Sequence, residues 1–101
     1  MPSSKDYLNY VLEQLKDLDG ITYRAMMGEF LLYYQGTLFG GVYDDRLLVK
    51  MVDANKAFKM SESIPYDGAK PMYLVDEVDN KEILSSIILK TCEGLKRWIN
   101  I

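Results

Sequence analysis

Apolar residues along this chain follow two different periods. From residue 4 to 18 they recur at spacings of three and four, at Leu8, Val11, Leu12, Leu15 and Leu18. That spacing predicts an amphipathic helix with one apolar stripe. Ser3 or Ser4 can accept from the first free amides of this helix, and Gly20 after Asp19 suits a left-handed stop. From 21 to 52 the pattern becomes strand-like, with runs Ile21–Met26, Glu29–Tyr34, Thr37–Tyr43 and Arg46–Val52 rich in β-branched, aromatic and large apolar residues. Met27-Gly28, Gln35-Gly36 and Asp44-Asp45 separate the runs. Two-residue connections force antiparallel neighbours, because a parallel crossover needs a dozen residues or more. The prediction is a four-stranded meander.

Asp53 reads as the N-cap of a short helix from Ala54 to about Met60. Ser61 to Pro71 holds two prolines, a glycine and small polar residues, and reads mainly as loop. Met72–Val75 is a short strand. Asp79, with Glu82 three residues later, has the spacing of a capping box for a final helix. Ile83, Leu84, Ile87, Ile88, Leu95, Trp98 and Ile99 form its apolar face, and Gly94 inside it weakens or bends it. No repeat or low-complexity segment interrupts the order, and the 61–71 loop is too short to divide two domains. One domain over residues 1–101 is expected, of α+β class. It has two layers: an antiparallel four-stranded meander plus a short fifth strand, with the helices packed on one face.

Composition narrows the function classes. The chain has 101 residues, enough to bury one core without staples. Twelve basic and 15 acidic residues give a net charge of −3, with no basic stripe of the kind that counterion release demands. DNA is therefore disfavoured as the main partner, though not removed. One cysteine, Cys92, and no histidine preclude an intrachain disulfide and leave a zinc site only carboxylate ligands. No metal and no cofactor is expected. The start of the chain, Met1-Pro2-Ser3-Ser4-Lys5-Asp6, has no apolar signal core, and no run approaches the roughly 20 apolar residues of a membrane span. A cytoplasmic location is expected.

Catalytic chemistry is hard to find. Without histidine, proton transfer falls to carboxylates, Lys or Tyr. Asp44-Asp45 fits a tight turn, Cys92 sits among apolar helix residues, and Phe39-Gly40-Gly41 lies between strand residues rather than in a phosphate loop. The two glycines mark a bulge or a close approach by a helix. Arg24 and Lys50, each inside a strand, are either solvated sheet residues or anchors for a partner or a nearby carboxylate.

Arg24-x-Met26-Met27-Gly28, then Tyr33, Gly36, Phe39 and Gly40-Gly41, Leu47-Leu48-Val49-Lys50, Asn55 and Phe58 occur in an ordered series. Pro65-Tyr66, Met72-Tyr73-Leu74-Val75 and the closing helix with Trp98 extend it. In these residues the chain resembles the N-terminal domain of the TfoX/Sxy family of bacterial competence regulators, which usually has Arg-x-Met-Phe-Gly at the first motif. The resemblance spans nearly the whole chain, and Met27 for Phe is a conservative departure. It implies a secretion-chaperone-like α+β fold and a non-enzymatic regulatory role. Full-length members carry a second, C-terminal domain, whereas this chain ends at Ile101, as a stand-alone member or one part of a longer protein.

Strand alternation then suggests a surface. Leu47, Val49 and Met51 form an apolar side that should face the helices, leaving Arg46, Leu48 and Lys50 on the other. Phe30, Leu32 and Tyr34 face one way, and Glu29, Leu31 and Tyr33 the other. Arg24 shares a side with Thr22 and Met26; Phe39 shares one with Thr37 and Tyr43 unless the glycine pair shifts the register. Arg24, Leu31, Tyr33, Phe39, Leu48 and Lys50 are accordingly the candidate interaction residues on an unusually apolar outer face. The occupant is an unknown protein partner or, most simply, a second copy in a homodimer. The alternative is that segment 61–75 folds over this face. A small regulatory or protein-binding module is the expected function. A nucleic-acid-associated co-regulator and an enzyme or small-ligand binder are the rival classes.

Overall fold

The computed structural model describes residues 3–99, with side chains through Lys96. Helix α1 (Lys5–Gln14) is followed by strands β1 (Ile21–Met26), β2 (Glu29–Tyr34), β3 (Thr37–Tyr43) and β4 (Arg46–Val49). A short 3-10 helix (Asp53–Phe58), strands β5 (Ser61–Ser63) and β6 (Met72–Leu74), and helix α2 (Lys81–Ile99) complete the order. The α+β architecture read from the sequence holds, as one open antiparallel sheet of six strands in the order β1-β2-β3-β4-β6-β5.

The meander arises from its turns. Met27 and Gly28 have φ of 53° and 84°, Gln35 and Gly36 of 49° and 83°, and Asp44 and Asp45 of 53° and 55°. Two successive left-handed residues make the hairpin turn whose twist matches that of the flanking strands. Met26 pairs with Glu29, Tyr34 with Thr37 and Tyr43 with Arg46, so each turn closes on its adjacent residues.

Both helices lie on one face. Leu8, Val11 and Leu15 from the first helix and its exit, and Leu84, Ile87, Ile88 and Cys92 from α2, pack with Leu32, Val42, Leu47, Val49 and Tyr73 of the sheet. Ser4 caps α1, its hydroxyl accepting from the Tyr7 amide at 3.1 Å. Asn80, rather than Asp79, caps α2, its side chain accepting from the Ile83 amide at 3.1 Å. The Gln14 amide donates to the Val78 carbonyl at 2.9 Å and ties α1 to the approach of α2. Trp98 and Ile99, assigned above to the apolar face of α2, lie outside the described side chains.

Other local expectations change as well. The loop beginning at Ser61 opens with a strand, because Ser61–Ser63 pairs with Met72–Leu74. Strand β4 ends at Val49, so Met51 is exposed instead of facing the helices. Phe39 does not stand on the outer face with Tyr43. The pairing of β2 with β3 jumps from Tyr33↔Leu38 to Leu32↔Gly40, and the extra residue, Phe39, is driven into the helix-side core, where it is fully buried. A Cβ on Gly40 would lie 2.1 Å from the Leu48 carbonyl oxygen, so the close approach at this bulge is by strand β4, not by a helix.

Candidate interaction surface

The outer face of the sheet is divided in two. Over β3 and β4 it is closed by the segment that follows β5. Arg46 organises this closure: its Nε donates to the Tyr43 carbonyl at 3.2 Å, one terminal nitrogen donates to Ser63 Oγ, and the other donates to the Ile64 and Pro65 carbonyls at 3.2 and 3.3 Å. Pro65 is buried, and the ring of Tyr66 lies 6.3 Å from that of Tyr43. Leu48, two residues along β4 from Arg46 and opposite Gly41 and Leu74, is fully buried yet outside the helix-side cluster. An open interface centred on Leu48 is therefore ruled out for the folded chain. The covering segment, the alternative weighed from the sequence, occupies that half.

Lys50 is half-buried beside the covered half. With Leu38, Tyr43, Tyr66, Lys70 and Pro71 it lines an open cleft of about 600 Å³. The lining is largely apolar, with two ammonium groups.

Over β1 and β2 no described segment closes the face. Arg24 is exposed and stands opposite half-buried Leu31; Thr22 stands opposite half-buried Tyr33, itself paired with Leu38. Arg24, Leu31 and Tyr33 thus come together, whereas Phe39, Leu48 and Lys50 go elsewhere. Met26 is exposed and Met27, at the hairpin tip, is 96% exposed. On the helix side of β1, Tyr23 sits edge-on to Phe30 at 5.9 Å, with the Lys5 ammonium 5.9 Å above its ring. Among the described residues neither Arg24 of β1 nor Lys5 of α1 forms an ion pair.

The base of the hairpin is hydrogen-bonded from behind. Glu29 accepts from the Ser3 amide and hydroxyl at 3.0 and 2.8 Å and from the Asp44 amide at 3.1 Å. The Ser3 amide also reaches the Gly28 carbonyl at 3.0 Å, and Asp45 accepts from the Ser4 amide at 2.8 Å. Tyr23 was not singled out from the sequence, and Met26, Glu29 and Arg46 were placed by motif or alternation without being named as candidate interaction residues. The available signal was topological: the first strand of a meander lies at a sheet edge unless another strand is inserted beside it.

Burial raises the Cys92 thiol and the Tyr7 and Tyr43 phenols above their ordinary values, away from the neutral range where an acid–base group works best. Among the described residues no group of three or more His, Cys, Asp or Glu side chains could hold a metal ion, and no helix is long and apolar enough to cross a membrane.

Residues 13–99 match the family model of the TfoX N-terminal domain. The chain belongs to that family. It is also 31% identical over 80 residues to a Spirochaeta aurantia protein described as an uncharacterized 12.7 kDa protein in the trpE 5′ region, covering 77% of this chain and 70% of the relative. The TfoX N-terminal domain family is linked to competence regulation and is not a known enzyme family. The residues that carried the resemblance separate here into two sets. Gly28, Gly40 and Asn55 serve the fold, at a turn, a bulge and a buried polar network. Arg24, Met26 and Met27 of this TfoX N-terminal domain stand exposed on the open half of the sheet, although Met27 shares the turn with Gly28.

Proposed function

We propose that this TfoX N-terminal domain is a single-domain, cytoplasmic, non-enzymatic regulatory module that acts through protein contacts made by the β1–β2 hairpin. The observation that carries the reading is the unequal treatment of the outer face. One half is closed by Arg46 and the 64–71 loop, while the other leaves Arg24, Met26 and Met27 exposed around an unpaired edge. Arginine, methionine and tyrosine are over-represented at contact surfaces, where they offer large, adaptable contact area. The net charge of −3 and the absence of a basic stripe weigh against nucleic acid as the ligand.

Side-chain footprinting in an extract of the source cells tests this. Met26 and Met27 are expected to become protected from oxidation relative to buffer, and Arg24→Glu is expected to abolish that protection. Protection confined to Met51 and Tyr66 beside the cleft would contradict the reading. It would favour the second one, in which the cleft between Lys50 and Lys70 takes a small anionic, partly apolar ligand.

A further inference from the structure

The two edges of the sheet are treated very differently. Strand β5 at one end is three residues long, too short to template a partner strand well. Strand β1 at the other end is six residues long, contains no proline and no bulge, and among the described residues pairs with β2 alone. Five of its six residues are exposed. Short length, proline, bulges, covering elements and charged side chains are the usual guards of a sheet edge; among the described residues β1 has only the last, in Arg24.

The polarity of this edge follows from the hairpin. A two-residue turn closes on a pair that exchanges both hydrogen bonds, here Met26 with Glu29. Alternation then turns the N–H and C=O groups of Met26, Arg24 and Thr22 toward β2, and those of Ala25, Tyr23 and Ile21 outward. Among the described residues no side chain bonds to these outward groups.

We infer that β1 pairs with β1 of a second copy, antiparallel about a two-fold axis at Tyr23, to join the two sheets edge to edge. This rests on the hairpin being the contact surface and names its occupant. Of the two-fold registers open to the strand, one uses all of its outward groups. Centring on Tyr23 pairs Tyr23 with its own counterpart and Ile21 with Ala25 in both directions, so every outward group gains a partner. Arg24 then lies across from Thr22 of the other copy. Centring on Arg24 would set the two guanidinium groups directly opposite, and centring on Thr22 would leave both Ala25 positions unpaired; either arrangement is poorer. In the favoured register the helices of both copies lie on the same side of the joined sheet, because Tyr23 faces Tyr23.

Sedimentation of the intact chain, with two kinds of variant, decides the matter. The wild type is expected to reach twice the monomer mass as concentration rises. Tyr23→Pro removes an outward N–H and spares the ladder to β2; it is expected to stay folded by circular dichroism and remain a monomer. Thr22→Cys chains mixed with Arg24→Cys chains are expected to form a disulfide-linked heterodimer, since a non-hydrogen-bonded pair brings Cα atoms to about 4.5 Å. Neither variant alone should do so, and buried Cys92 does not compete. A wild type that stays monomeric throughout would overturn the inference, leaving the hairpin to a foreign partner. A dimer that survives Tyr23→Pro but is lost in Met26→Glu would also overturn strand pairing while sparing the hairpin as the surface. A dimer indifferent to both changes would overturn the two together. If Tyr23→Pro fails to fold, the mixed-cysteine result alone decides.

Discussion

A few side chains hold this molecule in the form described. Asn55 is fully buried, yet each of its polar atoms is used: Oδ1 accepts from the Val52 amide at 3.2 Å, and Nδ2 donates to the Lys50 carbonyl at 2.9 Å and to Thr91 Oγ1 at 2.8 Å. Thr91 in turn donates to the Ile87 carbonyl at 2.7 Å. Asn55→Leu strands several buried groups at once and is expected to cost about 2–4 kcal/mol, measurable by urea denaturation. Leu48→Glu places an unpaired charge under the 64–71 loop and is expected to cost about 3–5 kcal/mol, enough to unfold much of a marginal domain. An unchanged denaturation midpoint for Leu48→Glu would mean that the loop does not cover Leu48. For the three groups raised by burial, Cys92, Tyr7 and Tyr43, the neutral form is favoured in the fold. Their contribution is therefore complete below the ordinary values and is lost as pH rises through the folded ones. The urea midpoint is expected to decline from about pH 8.5 upward, the ordinary thiol range. Cys92→Ala should flatten the first part of that decline.

At the scale of elements, periodicity and turn chemistry made the meander legible. Met27-Gly28, Gln35-Gly36 and Asp44-Asp45 mark two-residue hairpins, and the structure closes each of them with a pair of left-handed residues. What escaped the sequence depended on neighbours distant along the chain. Ser61–Ser63 has no strand-like composition and pairs only because Met72–Leu74 lies alongside. Phe39 alternates outward on paper, and a bulge that follows from the close approach of Gly40 to Leu48 turns it inward. The role of Arg46 was equally hidden, since its partners are carbonyls of a loop that sequence leaves shapeless. Gly94 was legible as unusual but for the wrong reason: a Cβ there would lie 2.7 Å from Val52 Cγ2 and 2.9 Å from its Cβ. It lets α2 approach the 3-10 helix closely. Gly94→Ala would normally gain about 1 kcal/mol in a helix; here it is expected to lower the melting temperature, and an increase would show that the contact yields easily.

At the scale of the whole molecule, the candidate surface was half legible. Arg24, Leu31 and Tyr33 lie together as alternation required, while Leu48 and Phe39 are buried by a loop and a bulge that alternation cannot see. The result is an asymmetric sheet, closed over its centre and short at one edge, open along β1 at the other. Amide hydrogen exchange along β1, followed by NMR over a concentration series, tests that account most directly. In dilute solution the amides of Thr22, Arg24 and Met26 are expected to exchange slowly and those of Tyr23 and Ala25 fast. As concentration rises, the Tyr23 and Ala25 amides are expected to slow until the alternation disappears. Slow exchange of Tyr23 and Ala25 in dilute solution, or fast exchange that persists at every concentration, would contradict an open edge filled by a second copy.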